Sequence, residues 1–172
     1  MVQRVGILVH PYFTAYHTSH CDGAQRAAEK DCGRLGRRYR DGIRYVHAQD
    51  GLLVLLRTSE DYEPQERLVR YARTTLGQKS VCIAETQAVA DEFLQERVTS
   101  DDELFIFGED IAACVTVAAL RYHDLLRVRD RVTILGNYCG WNVPNLSSAW
   151  EQIQNFGLLN NADKRKIKVS WF

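Results

Sequence analysis

Methionine occurs once, proline three times and lysine five times in these 172 residues, so there is no linker, low-complexity tract or internal repeat to divide the chain. A single domain over 1–172 follows. The five cysteines, at 21, 32, 82, 114 and 139, are odd in number and scattered, and none stands in the Cys-x-x-Cys spacing of zinc and redox centres. They read as reduced thiols. No apolar run approaches the ~20 residues of a membrane span, and the opening Met1-Val-Gln-Arg-Val-Gly-Ile7 lacks the pattern of a secretory signal. The expectation is a cytoplasmic protein with no membrane partner. Absent too are Gly-x-Gly-x-x-Gly after the first apolar run, a Walker A loop, a Gly-x-Ser-x-Gly elbow and His-Glu-x-x-His. Dehydrogenase, P-loop and serine-hydrolase readings fall away with them, and no cofactor is implied.

What is present is a core. A chain of this length can bury roughly 70% of the surface its unfolded form exposes, so it folds without metal or disulfide. Apolar, β-rich runs recur at Val5–Val9, Leu52–Leu56, Val81–Ala84, Leu104–Phe107 and Val132–Leu135. Each is continuous rather than alternating, as strands covered on both faces require. Helical patterns between them make βαβ units, and hence a three-layer α/β/α domain on a mostly parallel sheet of five to six strands, Rossmann-like in type. The spacing predicts helices over about Asp22–Tyr39, after Pro64 to Leu76, after Thr86 with Val89, Phe93 and Leu94 inward, and over Ile111–Val128. Ile43–Val46 reads either as a continuation of the first helix or as a short strand. A capping-box pattern at Ser148–Glu151 opens a closing helix that stops at Gly157. The alternation of Ile167, Val169 and Trp171 ends the chain as a half-exposed edge strand, where Trp171 and Phe172 offer a surface to a second copy in a homo-oligomer.

In an open parallel sheet, sites form beyond the carboxyl ends of the strands. Those exits are His10-Pro11-Tyr12-Phe13, Arg57–Glu60, Glu85-Thr86, Gly108-Glu109-Asp110 and Asn137-Tyr138-Cys139. Cys114 lies four residues after Asp110, the expected cap of a buried helix, where backbone N–H groups and the helix dipole lower a thiol's pKa. The same cysteine, between Ala113 and Val115, also suits plain core packing, the use expected of Cys82 and Cys139. His17, His20, Cys21 and Asp22 match no zinc spacing, and no metal is assigned. Arg34, Arg37, Arg38, Arg40 and Arg44 crowd a short stretch. They can grip phosphate or RNA, but a solvated helix face is the plainer use, since the 22 cations cancel the 22 anions and no aromatics interleave. A nucleic-acid partner is not expected.

The stretch Leu104-Phe-Ile-Phe-Gly108-Glu-Asp-Ile-Ala-Ala-Cys114-Val115, its Ala-rich helix and the strand Arg131–Leu135 resemble the nucleophile region of isochorismatase-like cysteine hydrolases. The order of elements resembles that family along most of the chain, and specific residue matching covers about 104–135. The resemblance implies that Cys114 attacks a carbonyl while the N–H groups of Ala113 and Cys114 hold the oxyanion. It also implies an Asp ending the first strand and a Lys after the third. Here His10 stands in place of the Asp, and no lysine follows the third strand. Two readings compete. In one, His10 deprotonates Cys114 and Glu85 orients the imidazole, giving a hydrolase for a small amide, ester or other C–N substrate, with Tyr12, Phe13, Asp110 and Asn137 about the pocket. In the other, the domain is a catalytically silent binding or assembly module, His10 a loop residue and Glu85 a capping carboxylate.

Overall fold

The structure is a computed structural model that describes residues 2–19, 25–58, 62–109, 114–128, 131–140 and 167–171. Its six strands are β1 (Arg4–Val9), β2 (Leu52–Leu56), β3 (Val81–Ala84), β4 (Glu103–Gly108), β5 (Val132–Leu135) and β6 (Ile167–Ser170). All pairings are parallel, in the order β3-β2-β1-β4-β5-β6. This is the strand order of a doubly wound, Rossmann-like sheet. Four of the five continuous apolar runs are inner strands: Ile7 pairs with Val54 on one side and Ile106 on the other, and all three are fully buried. The fifth, Val81–Ala84, is instead the edge strand β3, where only Ala84 is fully buried and the rest are half-buried. Each such side chain stabilises the fold by roughly 1.5–3 kcal/mol through burial. The alternating C-terminal segment is the edge strand β6, with Ile167 buried and Lys168 exposed.

Five helices connect the strands in the described residues: α1 (Phe13–Ser19), α2 (Gln25–Ala48), α3 (Glu63–Leu76), α4 (Gln87–Arg97) and α5 (Thr116–Leu126). Helices α2 and α3 pack on each other over β1, β2 and β3. The chain then reverses direction across the sheet, and with right-handed crossovers α4 and α5 take the opposite face. The reversal makes the carboxyl ends of β1 and β4 the topological switch point, where open α/β sheets form their ligand crevice.

Helix α2 runs past its expected end at Tyr39 to Ala48, which settles Ile43–Val46 as helix, and a short helix α1 that the sequence did not announce starts before it at Phe13. Two glycines that weaken helix propensity are here contacts. A Cβ on Gly36 would lie 2.8 Å from the Tyr12 hydroxyl, and one on Gly42 would lie 2.5 Å from the Phe107 ring. Close approach of α2 to the sheet outweighs the ~1 kcal/mol propensity cost of each. The Gln49-Asp50-Gly51 turn forms as the sequence predicts, with Asp50 left-handed at φ 51°.

Helix α3 carries Pro64 in its first turn and ends at Gly77, φ 85°. Helix α4 is capped by the Thr86 side chain, which accepts from the Val89 N–H at 3.4 Å. Of the residues expected on its inward face, Leu94 is buried and Phe93 packs half-buried on the core, whereas Val89 is 42% exposed and Ala90 is buried in its place. In α5 the described part begins with Cys114 and Val115 in a single wider turn that leads into the helix at Thr116. The helix stops at Arg127, whose φ of 52° is left-handed. The Ser148–Gly157 helix lies outside the described residues.

Glycines on one helix give a test of the α2 packing. Gly33 has open space about it, so Gly33→Ala gains about 0.5–1 kcal/mol of helix propensity. Gly42→Ala drives a methyl into the buried Phe107 ring, and overpacking exceeds the propensity gain for a net loss of about 1–2 kcal/mol. Urea midpoints should therefore move in opposite directions for the two variants.

Candidate active site at the carboxyl ends of β1 and β4

The exit of β1 is held in an unfavourable backbone conformation. His10 has φ 42° and Tyr12 φ 65°, both left-handed and neither glycine. Such residues cost about 1–3 kcal/mol each and persist only where surrounding contacts over-determine them. The contacts are present. His10 N–H donates to the Leu56 carbonyl at 3.1 Å, Phe13 N–H to the His10 carbonyl at 3.2 Å, and the Thr58 hydroxyl to the Pro11 carbonyl at 2.9 Å. Thr58 is itself fixed, its N–H donating to the fully buried Gln65 side chain at 2.7 Å.

The exit of β4 lies directly beside it. Gly108 has φ 143°, and a Cβ there would lie 2.1 Å from the Val9 carbonyl oxygen, so only glycine lets β4 end against β1. Glu109 follows, with its N–H donating to the Val9 carbonyl at 3.1 Å and its side chain buried. The Tyr39 hydroxyl donates to Glu109 Oε2 at 3.2 Å and accepts a hydrogen bond from the Tyr12 backbone. Burial, and then the charge of Glu109, raise the Tyr39 hydroxyl well above its ordinary pKa, so it stays a donor. One hydroxyl on α2 therefore joins the β1 exit to the β4 exit. Arg38, one residue earlier, donates from Nη1 to the Cys139 carbonyl at 2.9 Å and ties in the β5 exit.

Among the residues expected to do chemistry, His10 is half-buried, and burial lowers its imidazole below the ordinary 6.5. It is neutral at pH 7 and able to accept a proton. Its ring neighbour is Phe13, at 6.3 Å between centroids. Cys114 is half-buried at the head of α5 in the wider turn, a winding that concentrates at functional sites. Glu85 is exposed and its Oε1 accepts from Arg57 Nη1 at 2.8 Å, while Arg57 also pairs with Glu66. Among the described residues, the His10 imidazole hydrogen-bonds neither Cys114 nor Glu85. The carboxylate at the β3 exit thus serves the arginine at the β2 exit.

The expected aromatic wall divides. Tyr12 is buried against Tyr39 and Tyr62, at centroid distances of 5.2 and 6.2 Å, and burial raises its hydroxyl to about 12. Phe13 is 43% exposed and packs edge-on against His17 at 4.3 Å. Asn137 is half-buried in the 3-10 turn Gly136–Tyr138 after β5. Asp110 and Ala113 lie outside the described residues, as do His20, Cys21 and Asp22. Among the described residues no group of three or more His, Cys, Asp or Glu can hold a metal.

The other described thiols are committed elsewhere. Cys139 is fully buried and donates to the Leu135 carbonyl at 3.4 Å, Cys32 lies 3.0 Å from the Tyr62 hydroxyl, and burial pushes the Cys82 thiol up. Sequence reasoning placed Glu109 and Arg57 at strand exits, as the first polar residues past apolar strands, but gave them no role, and it missed Tyr39, which carried no signal beyond its place on a helical stripe. Compared with family models, curated proteins and solved structures, the chain matches none.

Two outcomes test this geometry. Tyr39→Phe removes a partner from both Glu109 and the Tyr12 backbone and costs about 1–3 kcal/mol in denaturant unfolding. The His10 imidazole should titrate by NMR with a midpoint below 6.5, because burial disfavours its charged form. The unfolded state then binds more protons just below pH 6.5, so stability falls as pH drops from 6.5 through that midpoint and levels off beneath it.

Proposed function

We propose that this domain is a divergent isochorismatase-like cysteine hydrolase acting on a small amide, ester or other C–N substrate in the β1/β4 crevice. The observation that carries the reading is the strained His10–Tyr12 turn, which holds a neutral, half-buried imidazole at the exit of β1, and Cys114 follows the neighbouring strand β4, six residues after Gly108. Strain of this kind gathers at functional sites. Cys114 adds to the substrate carbonyl and its proton passes to His10 Nδ1 or Nε2. The tetrahedral oxyanion takes hydrogen bonds from the Ala113 and Cys114 N–H groups. Collapse expels the amine or alcohol, which leaves with the proton from His10. Water, deprotonated by the same imidazole, then cleaves the thioester and frees the acid and the thiol.

A half-buried imidazole of depressed pKa is a poor ion-pair partner, so the thiolate owes its stability chiefly to the head of α5. His10 acts as a base during bond formation. Glu85, bound to Arg57, fixes that guanidinium at the rim of the crevice. This engagement of Glu85 also favours the second reading, a catalytically silent ligand-binding module.

Iodoacetamide labelling against pH separates the two. For the hydrolase, Cys114 is labelled before the other cysteines with a midpoint below the ordinary ~8.5, and Cys114→Ser abolishes the label. His10→Gln leaves that midpoint nearly in place but slows hydrolysis of the acyl-enzyme formed from p-nitrophenyl acetate by about 10²-fold or more. Ordinary or negligible reactivity of Cys114 would leave the binding module.

A further inference from the structure

The arginine cluster of α2 acquires a second half in the folded chain. Arg37, Arg40 and Arg44 lie at i, i+3 and i+7 on the outer face of α2, all exposed, and Arg67, Arg70 and Arg73 form the matching exposed ridge of α3. The two helices pack side by side, and the Arg40 guanidinium sits 6.0 Å from the centre of the Tyr71 ring of α3, across the seam between the ridges. Among the described side chains, exposed acids on this face are few. Asp41 pairs with Arg44 at 3.0 Å, and Glu63 with Arg67 at 2.8 Å and Arg70 at 3.9 Å. Among the described residues, Arg37, Arg40 and Arg73 have no carboxylate partner.

The opposite layer is balanced, with Glu92, Glu96 and Asp124 exposed beside Arg97 and Arg121. Overall neutrality therefore hides a segregation of charge between faces. With a screening length of about 8 Å at physiological salt, the two faces of the domain do not cancel each other's field.

We propose that the outer face of α2 and α3 is a docking surface for a nucleic-acid phosphate backbone, read without sequence preference. The dimensions fit. Arg37 to Arg44 covers roughly 10 Å along α2 at ~1.5 Å per residue, and helix axes in contact lie about 8–10 Å apart. A nucleic-acid strand carries one phosphate per ~3.4 Å of axis, so each ridge faces about three. Guanidinium forks engage phosphate oxygens in bidentate pairs, which suits a face whose exposed cations, among the described side chains, are all arginine. An anionic membrane is the lesser fit. The large apolar side chains exposed among the described residues are Val2, Phe13, Val89 and Val117, and none lies on α2 or α3 to anchor in lipid.

The test is fluorescence anisotropy with a labelled 20-base-pair duplex DNA and a 20-nucleotide single-stranded RNA. Binding at about 50 mM NaCl should weaken by about a hundredfold at about 200 mM, as expected for roughly four neutralised phosphates. The triple variant Arg37→Gln/Arg40→Gln/Arg73→Gln breaks no ion pair and keeps good helix formers. It should lower the slope of log affinity against log salt by about 2–3, while far-ultraviolet circular dichroism and the melting curve stay unchanged. Arg97→Gln/Arg121→Gln, on the opposite layer, should bind as the parent does. No binding at 50 mM, a flat salt response, parental affinity in the triple variant, an equal loss in the control, or binding to phosphatidylserine vesicles in place of DNA and RNA each overturns the proposal.

Discussion

One buried hydroxyl, that of Tyr39, decides how the two central strands end. It receives the Tyr12 N–H from the β1 exit and donates to Glu109 at the β4 exit. Without it the left-handed His10 and Tyr12 would lose a restraint, and a buried carboxylate would lose a donor. The hydroxyl reaches both only because α2 lies unusually close to the sheet, and that closeness comes from Gly36 under Tyr12, Gly42 under Phe107 and Gly6 under Val46. Local strain at the strand ends, helix approach and the missing Cβ atoms are a single arrangement.

That arrangement separates positioning from chemistry. The residues that fix the crevice, Tyr39, Glu109, Gln65 and Arg38, reach in from α2, α3 and the β4 exit and are buried or half-buried. The groups that can react are less enclosed: His10 and Cys114 are half-buried and Phe13 is exposed. A rigid support beneath accessible groups is what precise placement of a reacting atom requires. The Arg57 pairings with Glu66 and Glu85 do the same at the β2 and β3 exits, where solvent screening makes them worth less.

Much of the fold was legible because a sheet covered on both faces demands unbroken apolar strands, and Val5–Val9, Leu52–Leu56, Leu104–Phe107 and Val132–Leu135 are such runs. What escaped was decided by distant partners. Gly33 and Gly36 argue against a long helix on propensity alone, yet α2 continues because its buried stripe of Leu35, Tyr39, Ile43 and Val46 packs on the sheet. Val89 was misplaced because the neighbours Phe93 and Leu94 admit two phases of the helix, and Leu94 with Ala90 four residues before it set the inward stripe. In the site, strand exits identified His10, Glu85 and the neighbourhood of Cys114. They said nothing of the Tyr39–Glu109 bond, whose partners lie 70 positions apart, nor of the competition by which Arg57 claims Glu85.

Helix α2 turns one face to the crevice and the other to solvent, which raises the question of whether a polyanion on its arginine ridge would alter the site. Coupling between two sites requires an element with two arrangements that both ligands bias. The inward face of α2 offers little room for a second arrangement, since Gly36 and Gly42 already meet Tyr12 and Phe107 at contact distance and a shift would expose Tyr39 and Ile43, both fully buried. A one-turn slide, about 5.4 Å, would place a side chain where each glycine now stands. The arginines meanwhile project from the far side on long, flexible stems that can adapt to phosphates without moving the backbone. The geometry favours two sites that share a helix and remain thermodynamically independent, with a coupling free energy near zero.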